Sequence, residues 1–122
     1  MKQKTRGETE AEITQAVVKF EKDYLGHGPL DARTFFVGDM VLIRLRGILT
    51  AADRKLAETI DGQALVKESR RKLFETSRQF FNEMVEQIIG CKLVSFHTDM
   101  STKTGERVIV LTVNINLDTL YR

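Results

Sequence analysis

Residues 33–46 read RTFFVGDMVLIRLR, and this stretch decides the fold. Gly38-Asp39 separates two apolar runs by a two-residue turn, a short-range sign of an antiparallel hairpin. The reading places one strand over Thr34–Val37 and a second over Met40–Arg46. Side chains alternate across a strand. Val41, Ile43 and Leu45 therefore share one face, while Leu42, Arg44 and Arg46 share the other. The first face is wholly aliphatic and asks for cover. The second is mixed, as on an antiparallel sheet with one side open.

Upstream of the hairpin, from about Thr9, the residues Ile13, Ala16, Val17, Phe20 and Tyr24 keep helical spacing with charges opposite. Gly26 ends that helix and Gly28-Pro29 forbids its resumption. Residues 1–8 are polar and read as a flexible tail, which leaves 9–122 as a single domain.

Downstream, Gly47 closes the second strand, and Thr50 stands at an N-cap with Asp53 three positions on. The short helix that follows carries Leu56 and Ile60 inward and stops at Asp61-Gly62. From Gln63 to Ile89 the stripe Val66, Leu73, Ser77, Phe80, Met84 and Ile88 predicts one unbroken helix. At 1.5 Å per residue it would be roughly 40 Å long, enough to project from the domain or to pack on a neighbouring chain. Gly90 caps it. A third strand over Lys92–Thr98 and a fourth over Val108–Asn116 flank a polar turn, Ser101–Glu106, whose Gly105 can take a positive φ.

The order is then α-β-β-α-α-β-β: a single α+β domain with a four-stranded, mainly antiparallel sheet and helices packed on one face. Val94, Phe96, Ile109, Leu111, Val113 and Ile115 complete the inward set. Ser95, His97, Asp99, Val108, Val110 and Thr112 join Leu42, Arg44 and Arg46 on the outer face. The two halves echo one another as helix, glycine stop, strand, turn and strand, either as a true repeat or as two common hairpins in succession.

Composition narrows the function. The chain has 122 residues, 42% hydrophobic and 30% charged, which are ordinary globular values. Cys91 is alone and cannot close an internal disulfide, which fits a reducing compartment. No apolar run approaches the ~18 residues of a membrane span, and no apolar stretch follows the basic start, so neither a membrane anchor nor a secretory signal is expected. The expected location is cytoplasmic. The net charge is +2, and it is not concentrated: 10 basic and 10 acidic residues precede position 62, then 9 and 7 follow. That distribution argues against a nucleic-acid interface. Seven Phe and two Tyr without Trp are not interleaved with cations as base-stacking surfaces are.

No catalytic set assembles. Ser95, His97 and Asp99 alternate on one strand, but side chains at i and i+2 stand almost 7 Å apart, too far for a hydrolytic triad. His27, Cys91 and His97 show no metal-ligand spacing. Gly26-His27-Gly28-Pro29 lacks the spacing of a phosphate loop and ends a helix instead of starting one. The chain is therefore expected to be non-enzymatic, with no metal and no cofactor. An outer face that keeps Leu42, Val108 and Val110 beside cations suggests a contact surface. β-Branched residues also favour exposed strand positions for local reasons.

Taken together, Gly26-x-Gly28-Pro29, Arg33, the Asp39 turn, Leu45-x-Gly47-x-Leu49-Thr50, the helix with Arg70-Arg71, Gly90, and Asp99-x-Ser101-x-x-Thr104-Gly105-Glu106 resemble the MpsC-like family of small bacterial proteins over about residues 8–117. The family name implies a part in a sodium-translocating, membrane-potential-generating system. Without a spanning segment, this chain would be a peripheral accessory at the inner face of the membrane, with a membrane-protein partner. The family has no agreed catalytic residues, so none carries over. The motif positions that do are Gly28, Pro29, Arg33, Asp39, Gly47, Thr50, Asp99, Thr104, Gly105 and Glu106. All but Arg33 and Asp99 have mainly turn or cap explanations.

Two functions are therefore carried forward. The first is a self-associating interaction module, most simply a homodimer. The second is a small anionic-ligand or nucleic-acid-binding regulator. The candidate binding residues are Arg33, Arg44, Arg46, His97 and Asp99.

Overall fold

The computed structural model describes residues 4–122. Helix α1 (Arg6–Leu25) starts where Thr5 closes a capping box. Thr5 Oγ1 accepts the Glu8 N–H at 3.2 Å, and the Glu8 carboxylate accepts the Thr5 N–H at 2.9 Å. Two donors that a helix start would leave orphaned are thus satisfied. The tail expected over residues 1–8 is corrected in its second half, which is cap and helix. Residues 1–3 lie outside the described residues. Helix α1 buries Thr9, Ile13, Val17 and Glu21, a row spaced by four. Tyr24, expected inward, is half exposed, and its hydroxyl meets Thr76 Oγ1 at 2.7 Å. Gly26 ends the helix at φ 77°.

The hairpin forms as read, from β1 (Asp31–Val37) and β2 (Met40–Arg46). The first strand starts earlier than its apolar run because Asp31, Ala32 and Arg33 pair with Arg46, Leu45 and Arg44. Strands β3 (Leu93–Met100) and β4 (Arg107–Val113) make a second hairpin. The sheet order is β1-β2-β4-β3, antiparallel throughout. The expected α+β order holds, with a short helix α5 (Leu117–Leu120) added at the end. Strand order and direction are those of two α-β-β units related by a half-turn about an axis between β2 and β4.

The inner face is closed. Val41, Ile43, Leu45, Ile109, Leu111 and Val113 are buried, joined by Phe36 from β1. Two expected members of this set are corrected. A bulge between Leu93 and Ser95 turns Val94 out, leaving it 61% exposed. Ile115 lies past the end of β4 and is only partly buried.

The single long helix is also corrected. The short helix expected after Thr50 forms as α2 (Ala51–Leu56), but the long stretch makes α3 (Ile60–Glu75) and α4 (Arg78–Met84), the last running into a π turn over Val85–Ile89. Asp61-Gly62 is not a stop but the first turn of α3, capped by Thr59, whose Oγ1 accepts the Gly62 N–H at 3.0 Å. Glycine is needed there for close approach: a Cβ on Gly62 would lie 1.6 Å from the Leu56 carbonyl oxygen. The break at Thr76-Ser77 comes from hydroxyls that bond back to the helix. Thr76 Oγ1 donates to Leu73 O at 2.6 Å, and Ser77 Oγ donates to Phe74 O. Such local bonds compete with the helical ladder. The break folds Phe74 and Phe81 onto Phe96 of β3, with ring centroids 6.0 and 5.2 Å away. Phe80 stacks on Phe20 of α1 at 4.2 Å. The roughly 40 Å rod is replaced by a bent cover that shares one aromatic cluster with the sheet.

Candidate functional site

Strand pairing assembles the outer face into rows. Asp31 stands opposite Arg46; Arg33, Arg44, Val108 and Asp99 form the next row; Phe35, Leu42, Val110 and His97 the one after; and Val37, Met40, Thr112 and Ser95 the last. One end of the face is thus charged and the other apolar. Phe35, Val37 and Met40 are 41%, 50% and 37% exposed, and Leu42, Val108 and Val110 are partly buried. Each cross-strand neighbour stands about 5 Å away, so the apolar positions form a continuous patch.

The five candidate residues share this face but do not converge equally. Arg33 and Arg44 are directly opposite one another, and Asp99 closes the same row beyond Val108. His97 sits one row further toward the apolar end. Among the described residues, His97 makes no hydrogen bond with Ser95 or Asp99, so the three alternating polar side chains of β3 remain separate. Glu106 gathers the cations of β2: its carboxylate lies 2.6 Å from Arg44 Nη2 and 4.0 Å from Arg46 Nε. Arg33 makes no ion pair among the described residues. Asp99 turns toward the sheet edge, where it accepts the Met100 N–H at 2.8 Å and lies 3.5 Å from Lys67 Nζ. The Met100 N–H, with Lys67 nearby, holds its carboxyl below the usual range.

The motif residues gather at the charged end. His27, between Gly26 and Gly28-Pro29, places Nε2 3.3 Å from the Gly47 carbonyl. Leu30 N–H bonds Arg46 O at 2.8 Å, and Ile48 N–H bonds Gly105 O at 3.2 Å. Gly47 takes φ 69° with Leu30 packed against it so closely that a Cβ would meet Leu30 Cγ at 2.6 Å. Thr50 and Asp53 form the expected capping box, and the Thr104 hydroxyl accepts the Glu106 N–H at 3.3 Å. Asp39 lies at the opposite end, where its carbonyl accepts the Val113 N–H at 2.9 Å.

The burial of three charges escaped the sequence reading. Glu21, Arg70 and Arg107 come from α1, α3 and β4 and are each less than a tenth exposed. Burial pushes the Glu21 carboxyl up to about 7, against the pull of Arg107 and Arg70. Burial likewise brings Arg107 down to about 10. Its guanidinium carbon lies 4.0 Å from the centroid of the Phe74 ring, a cation–π contact. Arg70 pairs with Asp53. Burial raises the Asp53 carboxyl, but Arg70 and the Thr50 N–H outweigh it and bring it below its ordinary value. The only signal for Glu21 was its phase, four residues beyond Val17. Arg107 gave none, since it stands where the polar turn ends.

Among the described residues, no three His, Cys, Asp or Glu side chains come together to hold a metal. Cys91 is buried, and burial raises its thiol to about 11, so it is a packing residue rather than a ready nucleophile.

The family model described as Na+-translocating membrane potential-generating system (MpsC) matches residues 5–115. The chain belongs to the MpsC family. It is 38% identical over 107 residues to the uncharacterized protein YbcI of Bacillus subtilis (strain 168), covering 88% of this chain and 86% of that one. It is 29% identical over 109 residues to the uncharacterized protein YrhF of the same organism, covering 88% of each. No solved structure is similar enough to count as a match. The MpsC domain seen here is an α+β layer of one sheet and its helices, and no described helix is long and apolar enough to cross a membrane.

Proposed function

We propose that this MpsC-family chain is a non-enzymatic accessory module that works by protein contact. It self-associates, most simply as a homodimer, through the outer face of the sheet. It serves as a peripheral partner of a cation-linked membrane system, the role carried by its family's description, at the cytoplasmic side of that membrane. One observation supports this reading above the others: Phe35, Leu42 and Val110 continue into Val37 and Met40 as one apolar patch, exposed at Phe35, Val37 and Met40, beside a cationic row. Apolar patches rimmed by charge mark contact surfaces, and aromatic and Met side chains with Arg are the residues interfaces favour.

Sedimentation velocity on the wild type and on a Phe35→Glu, Val37→Lys variant tests it. A dimer that becomes a monomer of unchanged circular dichroism is the expected result. A wild-type chain that stays monomeric at high concentration and retains no membrane protein in a pull-down from its own bacterium overturns the reading.

The alternative, an anionic-ligand or nucleic-acid regulator on the same face, is less favoured there. Glu106 already neutralises much of the charge on Arg44 and Arg46.

A further inference from the structure

Strand β3 is an edge of the sheet, and between it and α3 lies an open cleft of about 420 Å³ that Arg107 of β4 also lines. Helix α3 lines it with Ala64, Lys67, Glu68 and Arg71. A helix seeking the core would carry an apolar stripe at such positions. Here the helix side is small and charged, with Glu68 beside the two cations, and the helix does not close on the strand.

The floor of the cleft includes Arg107, a cation only 2% exposed. Among the described residues no carboxylate lies within ion-pair distance of it. Its Nη1 donates to Thr98 Oγ1 at 2.8 Å and its Nη2 reaches the Met100 sulfur at 3.6 Å. Its Nε has no hydrogen-bond partner among the described residues. A guanidinium carries five N–H donors, so this one is under-used; the buried Glu21 carboxylate attracts it without pairing, and a buried cation so weakly compensated is costly to keep.

At the rim stands Asp99, 80% exposed at its side chain. Its carboxylate sits on the Met100 N–H and beside Lys67, on an amide that points away from the sheet. The protein's own acid thus occupies the donors an external oxyanion would use. Arg71 is held by acids of its own helix, 2.7 Å from Glu68 and paired with Glu75.

We propose that this cleft binds the phosphate group of a small molecule. Arg107, Lys67 and Arg71 are its cationic donors, Thr98 is a hydroxyl partner, and Asp99 competes for the same positions. Three cations arriving from a helix and a sheet suit a tetrahedral dianion, whose oxygens accept from several directions, better than a planar carboxylate, which one arginine satisfies. The volume fits a small metabolite. This site is separate from the outer-face contact and does not depend on it.

Titration of the full chain by amide NMR at constant ionic strength, with inorganic phosphate and with adenosine monophosphate, tests the proposal. Saturable shifts are expected at Lys67, Thr98 and Met100. Both exposed cations can be removed without touching the core, and a Lys67→Ala, Arg71→Ala variant should bind about tenfold or more weakly. Asp99→Asn should bind more tightly than the wild type, because the resident acid is gone. Tighter binding of adenosine monophosphate assigns the site to a phosphorylated metabolite, and equal binding assigns it to free phosphate. The proposal is overturned by non-saturable shifts with both probes, by undiminished binding in the double variant, or by an Asp99→Asn variant that binds no better.

Discussion

Glu21 of α1 and Arg107 of β4 are buried in the same interior, yet neither Glu21 Oε1 nor Arg107 Nε has a hydrogen-bond partner among the described residues. The Glu21 carboxyl is raised to about 7 from an ordinary 4.5. The folded chain therefore holds that proton more tightly than the unfolded chain does. The stabilisation is complete below about pH 4.5, falls as pH rises, and is gone above about 7. Integrated over that window it is on the order of 3 kcal/mol. Urea unfolding at pH 5 and pH 8 should show the loss, and Glu21→Gln should flatten it. An equal slope in the variant would remove Glu21 as the cause.

Gly62→Ala should be among the most damaging small changes. The added methyl would have to displace the Leu56 carbonyl, which is backbone and cannot rotate away. A loss above about 3 kcal/mol is expected, the range of overpacked or strained sites. Gly7→Ala, with open space around its Cβ and a helical position, should instead be neutral or stabilising by up to about 1 kcal/mol. Chemical denaturation of the pair separates steric conflict from the general effect of losing a glycine.

Thr5→Ala tests where the first helix begins. The capping box with Glu8 makes its removal cost about 1 kcal/mol. A substitution in a loose tail would cost nothing. The midpoint of thermal unfolding reads the difference.

Glu106→Ala should leave stability within about 1 kcal/mol of wild type, because exposed ion pairs contribute little. It also frees Arg44 and Arg46 on the outer face. If that face meets a second copy of itself, like charges should then weaken the dimer as ionic strength falls, which sedimentation at low and high salt would reveal.

The hairpin was legible because its evidence is local: a turn, an alternation and an aliphatic face within RTFFVGDMVLIRLR. The break at Thr76-Ser77 was not, since both residues are tolerated inside helices and only the direction of their hydroxyls ends this one. Val94 was misplaced because a bulge resets the two-residue period without any mark in composition. The candidate face was half legible. Arg44 and Arg46 follow from alternation in β2, but their rows with Arg33 and Asp99 depend on which strands pair, a relation between distant segments. The cleft beside β3 was hidden for the same reason: Lys67 and Arg71 line it only because the sheet edge is set opposite them.

The central seam pairs β2 with β4, bringing Ile43 opposite Ile109 across more than half the chain. Each outer hairpin can close on its own quickly, but joining them requires a long loop to shut before any contact repays it. The rate at which this molecule acquires its shape is therefore governed at the middle of the sheet. Shortening Ile43 or Ile109 to Val should slow refolding, while trimming the outer hairpins should mainly hasten unfolding, and the two limbs of a chevron plot would tell them apart.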